Sequence, residues 1–312
     1  MQPRPIIHEK FPDLQWLKKQ IATRFEGVNN SKGWSNVIIN AHASVAERPD
    51  IRGPLSLFLN VSGNSWCSVD RHRARVDSDF YFLSNQGEHY TLEIESKTPV
   101  ETFNIHFGEN FMEEIFSSLV TPADRLLNNR FEKKDGIAFF SKLYRRDEHF
   151  NALVSHLYRE HRAGNRSTLF VEEQLARLLG CLLQTHREVL KDVAKLPAVK
   201  QTTKAELYKR LSFSIDYIHS HYTENIDLEA LAATACLSKY HFLRLFKLAF
   251  GLSPYQYLQQ VRIEQAKSLL RFSEAPIYEI AVGLGFENAS SFSRLFYQRV
   301  NTYPTQFRVG AK

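Results

Sequence analysis

The stretch 280–308 reads IAVGLGFENASSFSRLFYQRVNTYPTQFR, and a looser copy precedes it at 231–258, LAATACLSKYHFLRLFKLAFGLSPYQYL. Leu231 and Leu237 stand 49 residues before Ile280 and Phe286. Phe242, Leu245, Phe246, Pro254 and Gln256 then stand 50 before Phe292, Leu295, Phe296, Pro304 and Gln306. The step from 49 to 50 places one extra residue in the turn of the second copy. Self-similarity at a fixed period marks a repeated supersecondary unit and is the first feature to seek in a chain.

Each copy has the anatomy of a helix-turn-helix. In the first, Asp227 is placed to cap a short helix reaching Ala235, and Cys236 and Leu237 form the turn. Ser238 caps a second helix that Gly251 closes after Phe250. Phe242, Leu245, Phe246 and Ala249 fall at i, i+3, i+4 and i+7 and face a core. That leaves Lys239, Tyr240, Leu243, Arg244 and Lys247 outside. In the second copy Ala281 and Gly285 flank the turn, and Phe292, Leu295 and Phe296 face inward. Ala289, Ser290, Ser293, Arg294 and Tyr297 are left outside. Such side chains suit a duplex: Arg and Lys meet phosphates and guanine, Ser and Asn reach either, and Tyr or Leu meets a thymine methyl. A solvated helix face explains either set alone; their repetition in one frame favours DNA. Between the copies Ser253-Pro254 opens a helix through about Leu270, with Pro at its first position and a length of roughly 24 Å. That spacer is able to set two recognition helices toward successive major grooves about 34 Å apart.

Working outward, 312 residues suit two domains, with 43% hydrophobic and 24% charged residues. This composition excludes a disordered or collagen-like chain. The net charge is +6. Residues 204–312 hold six Lys and seven Arg against two Asp and seven Glu, a net of +4 on about a third of the chain. Cys67, Cys181 and Cys236 are far apart and lack CxxC spacing, which argues against a disulfide framework or a thiolate zinc site. Cys181 and Cys236 lie in apolar helical patterns and are expected to be buried. No apolar run reaches signal-peptide or membrane-spanning length, so the chain reads as cytoplasmic, without membrane association.

From Trp34 to Phe107 the pattern has the two-residue period of strands. Leu55, Leu57, Leu59 and Val61 alternate with Ser56, Phe58 and Asn60. The turn signals are Arg52-Gly53-Pro54, Ser62-Gly63-Asn64, Asn85-Gln86-Gly87 and Lys97-Thr98-Pro99. Short strands at this spacing predict a small sandwich or barrel. After Gly108 the period becomes helical. Over Ser167–Leu190 the stripe Leu175, Leu178, Leu179, Leu182 and Leu183 is expected in the core, with a helix-pair dimer contact as the alternative. Residues 191–203, KDVAKLPAVKQTT, read as a linker between domains 1–190 and 204–312.

On LSKYHFLRLFK, GLSPYQYL, RIEQAKSLL and the 280–308 segment, residues 204–312 resemble the DNA-binding domain of the AraC/XylS family of transcription regulators. The resemblance implies an α+β two-domain chain, with an N-terminal cupin-like β-barrel and trailing helices before an all-α tandem helix-turn-helix domain. It places DNA contacts on Lys239, Tyr240, His241, Arg244 and Lys247, and on Asn288, Ala289, Ser290, Ser293, Arg294 and Gln298. It further implies promoter DNA, RNA polymerase and a second copy of the chain as partners, a role as an activator, and a small effector in the barrel. Phe58, Trp66, His72, Phe82, His89, Phe103 and His106 are the pocket candidates, each weighed against a plain structural role. No cofactor is expected, the metal-binding cupin pattern of closely spaced HxH with a following Glu is absent from the strand region, and no nucleophile–base–acid arrangement is found by spacing. Two alternatives remain: an N-terminal domain that only dimerises or binds a protein, and a DNA-repair methyltransferase fused to such a module. The second would need an activated cysteine, for which Cys67 lacks the metal-ligand neighbours.

Overall fold

Runs of Val, Ile, Phe and Tyr broken by Gly, Pro and Asn build strands in the first part of the chain. The computed structural model describes residues 5–17, 19, 35–70, 72–120 and 137–310, with Leu119 and Val120 described for backbone only. Trp34, where the strand pattern begins, lies outside them. The chain divides into two units, Met1–Lys191 and Asp192–Lys312.

The first unit holds a mixed sheet of β1 (Ile6–His8), β2 (Val37–Arg52), β3 (Ser56–Ser62), β4 (Ser65–Val69), β5 (His72–Val76), β6 (Phe80–Ser84), β7 (His89–His106) and β8 (Leu143–Arg145). Its order is β1-β2-β7-β3-β6-β8, with β4 pairing β5 and β7. Among the described strands only β1 and β2 run parallel. The path ends on β1 and β8, so the sheet does not close into the expected barrel. Both of these strands are three residues long, short enough to offer little edge for unwanted pairing.

Two strand expectations are corrected. Lys97-Thr98-Pro99 does not end a strand, because β7 runs through it. The register with β2 jumps from Val45–Glu95 to Ala43–Val100. Pro99, which has no N–H to give, sits where the ladder is already broken. On β3 the alternation is not wet against dry: Ser56, Phe58 and Asn60 are buried along with Leu57 and Leu59. The buried polar groups are satisfied, since Asn60 Nδ2 donates to the Val76 carbonyl at 2.9 Å and Ser65 Oγ donates to Asn60 Oδ1 at 3.1 Å.

Helices α1 (Glu109–Val120), α2 (Glu148–Arg162) and α3 (Thr168–Ala194) follow within this part of the chain. The Asp147 side chain accepts from Phe150 N and caps α2. Leu175, Leu178, Leu179, Leu182 and Leu183 of α3 are all buried in the monomer, so this stripe belongs to its core.

The second unit is helical: α4 (Gln201–His221), α5 (Leu228–Thr234), α6 (Lys239–Phe250), α7 (Pro254–Phe272), α8 (Ile277–Gly283), α9 (Ala289–Val300) and α10 (Pro304–Gly310). Of the stretch 191–203, only 195–200 lies between helices α3 and α4. Its apolar residues explain the shortening, for Val193 and Leu196 are buried, and Lys204 Nζ donates to the Ala194 carbonyl. Cys181 is buried as expected, but Cys236 is exposed, because it sits in the turn rather than on a helix face.

Candidate nucleic-acid interface and N-terminal cavity

The two helix-turn-helix units, α5–α6 and α8–α9, share their closing devices at the repeat's spacing but not their N-terminal caps. Asp227 accepts from Ala230 N to cap α5, whereas Pro276 begins α8 and Ser238 begins α6 without a side-chain cap bond. Gly251 ends α6 at φ +74° and Asn301, fifty residues on, ends α9 at φ +58°; Gly and Asn are the residues that tolerate this left-handed cap. The Gln256/Gln306 match also has a physical cause. Ser253 N donates to Gln256 Oε1 at 2.9 Å, and Tyr303 N donates to Gln306 Oε1 at 3.4 Å. Each glutamine therefore reaches back over the start of the helix after its unit, behind a Pro at the first position.

The turns are held by arginines. Arg210 donates through Nε to the Ala235 carbonyl at 2.8 Å and also to that of Cys236. In the second unit Gly285 takes φ +80°, where Cys236 takes +50° in the first. Arg262, buried on the spacer α7, donates to the carbonyls of Tyr222 and Glu224 and lies over the Phe286 ring. Burial pulls its guanidinium below the usual arginine range. The spacer has 19 residues, about 28 Å of helix.

On α6 Phe242, Leu245, Phe246 and Ala249 are buried, and Lys239, Tyr240, His241, Arg244 and Lys247 are exposed. Arg244 and Lys247 form no hydrogen bond or ion pair among the described residues. Lys239 is different: its Nζ is paired with Glu229 on α5. That bond holds the Glu229 carboxyl below the usual carboxylate range. Sequence reading missed Glu229. The repeat carried a signal, for Glu279 stands fifty residues on, but opposite it Ala289 replaces the lysine.

On α9 Ser290, Arg294 and Gln298 are exposed and Ser293 is half-buried. Two candidates have structural duties. The Asn288 side chain accepts from Ser291 N at 2.8 Å and so caps α9. Ala289 packs against the cluster of Phe292, Phe296 and Leu284 instead of standing outside, since it lies one turn before Phe292 on the same face. The first helix thus offers lysine and arginine heads, the second mainly hydroxyls, an amide and Arg294.

In the first unit a cavity of about 100 Å³ lies between the sheet and the N-terminal segment. Ile6, His8, Pro12, Trp16 and Leu17 form one wall; Ile39, Ile51, Arg52, Tyr90 and His106 are among those opposite. The segment is tied down by β1 and by a Glu9–Arg166 ion pair of 2.7 Å. Of the seven pocket candidates, His106 lines the cavity. Phe58 stands behind it, its ring 5.9 Å from that of His106. Trp66 lies under the Arg73 guanidinium, His72 stacks on the buried Phe82, and His89 pairs with Asp50 at 2.8 Å. Phe103 packs with Tyr158 and His161. The N-terminal wall was missed, although Phe11, Leu14 and Leu17, spaced three apart, do pack on the sheet's core.

His106 Nδ1 lies 2.8 Å from Ser56 Oγ, and that hydroxyl donates to the Pro54 carbonyl at 2.8 Å. Burial, with His8 nearby, lowers the His106 pKa to about 4. Cys67 is fully buried, and burial followed by the Glu88 charge raises its thiol pKa well above normal. Among the described residues no three His, Cys, Asp or Glu side chains cluster to hold a metal ion, and no helix is long and apolar enough to cross a membrane.

The paired, capped units with outward cationic helices define the second unit as a tandem helix-turn-helix domain. A family model described as a helix-turn-helix domain matches residues 231–309. The transcriptional activator RhaS of Shigella boydii is 34% identical over 101 residues, 32% of this chain and 36% of that one. The bifunctional transcriptional activator/DNA repair enzyme AdaA of Bacillus subtilis is 37% identical over 97 residues, 31% of this chain and 46% of that one. Both matches span less than half of the relative's length. The DNA-binding domain of AdpA, solved in complex with a target DNA, aligns at 30% identity over 32% of this chain and 91% of its own, with a TM-score of 0.32. Over this domain the chain is similar to transcription activators of the AraC type.

Proposed function

We propose that the protein is a DNA-binding transcription regulator whose two helix-turn-helix units engage successive major grooves of double-stranded promoter DNA. The observation that carries this reading is the pair of equivalent helices, α6 and α9, each ended by a left-handed cap at the repeat's spacing. Arg244, Lys247 and Arg294 on them are exposed and uncommitted among the described residues. A role as activator is favoured by the similarity to the transcriptional activators RhaS and AdaA. In this reading it works in the cytoplasm as a homodimer that contacts RNA polymerase at the promoter. Mobility-shift titration with promoter fragments tests it: sequence-preferring binding that weakens steeply with salt is expected. Binding that is indifferent to sequence sinks it.

The first unit is read as the sensor, with its ligand in the cavity beneath the N-terminal segment. A small polar cluster inside an apolar cavity favours a ligand over a domain that only dimerises or binds protein. A methyl-accepting repair enzyme is disfavoured by Cys67, since a fully buried thiol with a raised pKa is a poor nucleophile.

A further inference from the structure

His106 has two ring nitrogens, and the structure commits one of them. The Ser56 hydroxyl has a single proton, and it points at the Pro54 carbonyl, which can only accept. The 2.8 Å contact between Ser56 Oγ and His106 Nδ1 is then a hydrogen bond only if Nδ1 carries the proton. Nε2 is left as a bare acceptor on a ring that lines the cavity. It finds no partner among the described residues. Burial keeps the ring neutral, and His8, on the same cavity, is likewise held toward its neutral form.

The rest of the lining is largely apolar: Ile6, Trp16, Ile39, Ile51 and Tyr90 supply most of the wall. A cavity of about 100 Å³ is in the size range of one that admits a single benzene ring, roughly 150 Å³. A cation would lose its hydration there without a carboxylate among the lining residues; an anion could meet the exposed Arg52, but at His106 it would face the lone pair of Nε2. We propose that this cavity takes an uncharged, single-ring alcohol whose hydroxyl donates to His106 Nε2 while its ring packs between Trp16 and the sheet. The assignment rests on the reading of the first unit as a sensor and names the chemical class it senses.

Calorimetric titration of the full chain with phenol, toluene and benzoate tests it, because the three share a ring and differ in what they offer His106. Phenol is expected to bind at least about tenfold more tightly than toluene, the discrimination that follows from leaving a buried acceptor unpaired. His106→Leu should abolish that preference while keeping toluene binding, and His106→Gln, which can restore an acceptor, should recover part of it. Equal binding of phenol and toluene, or tightest binding of benzoate through Arg52 at the rim, overturns the assignment but leaves the cavity a ligand site. Binding of none of the three overturns both the assignment and the cavity's role. DNA binding in the mobility-shift assay stands or falls separately.

Discussion

The guanidinium of Arg262 fills the space beside Gly285 in which a side chain would begin. A Cβ built there would meet Arg262 Nη2 at 2.6 Å and the Thr223 carbonyl at 2.7 Å. The same arginine bonds the carbonyls of Tyr222 and Glu224 at the end of α4. The second turn is therefore shaped around a buried cation that joins the spacer to the preceding helix.

Gly285→Ala should accordingly cost on the order of 2–4 kcal/mol, combining the left-handed backbone with overpacking against backbone and guanidinium. Cys236 holds the corresponding place in the first turn at φ +50° and is exposed. Cys236→Gly should instead stabilise, by up to about 1 kcal/mol, because the strain relieved slightly exceeds the entropy a glycine adds to the unfolded chain. Thermal unfolding followed by circular dichroism reads both. A loss under 1 kcal/mol for Gly285→Ala would show that the turn can shift around the arginine.

The pairing of Lys239 with Glu229 gives a second expectation. Glu229 is exposed, so removing its charge should leave the melting temperature unchanged within error. Lys239 would then be released to the duplex, and the nearby negative charge that opposes phosphate would be gone. Glu229→Gln should tighten DNA binding several-fold and steepen its salt dependence, as read by fluorescence anisotropy at several salt concentrations. Unchanged affinity would place Lys239 away from the DNA.

The helix-turn-helix units were legible because their signals are local: caps, a four-point apolar stripe and matched residues at a fixed offset. The sheet was less so. Strand existence followed from alternation, but Pro99 was read as a turn because a bulge depends on the partner strand, which alternation does not specify. The open path β1-β2-β7-β3-β6-β8 likewise depends on which distant strands pair. Aromatic type alone chose the cavity candidates, so His89 and Trp66 were included though each faces a charged partner. The actual wall from Ile6 to Leu17 precedes the strands that it covers. Ala289 was placed outside because helical periodicity is weakest at the first turn, where core contact competes with exposure; Asn288, carried over from the resemblance, is exposed but serves as the cap.

Arg294 stands on the exposed face of α9, without a partner among the described residues. Arg294→Ala should weaken binding to the preferred sequence by about 1–3 kcal/mol and relax discrimination at one base pair if the fork reads guanine. Lys247→Ala should weaken binding evenly across sequences and lower the salt slope by about one. Competition binding on a library of single-base variants separates the two. An even loss for Arg294→Ala would assign it to phosphate.

His106 predicts an acid-sensitive first unit. Its folded pKa is lowered to about 4 by burial and the neighbouring His8, while the unfolded ring titrates near 6.5. Between these values the unfolded chain binds more protons, so stability rises with pH across that window. The contribution is complete above about pH 6.5 and is lost as pH falls toward 4, amounting to roughly 3 kcal/mol from this ring. His8, His161 and His186 are lowered in the same direction and add to the slope, so the variant isolates the His106 share. Urea unfolding of wild type and His106→Gln at pH 7.5, 6.0 and 4.5 measures it. The two stability curves should converge toward pH 4.5, whereas parallel curves would mean that His106 titrates in the folded protein as it does in the unfolded chain.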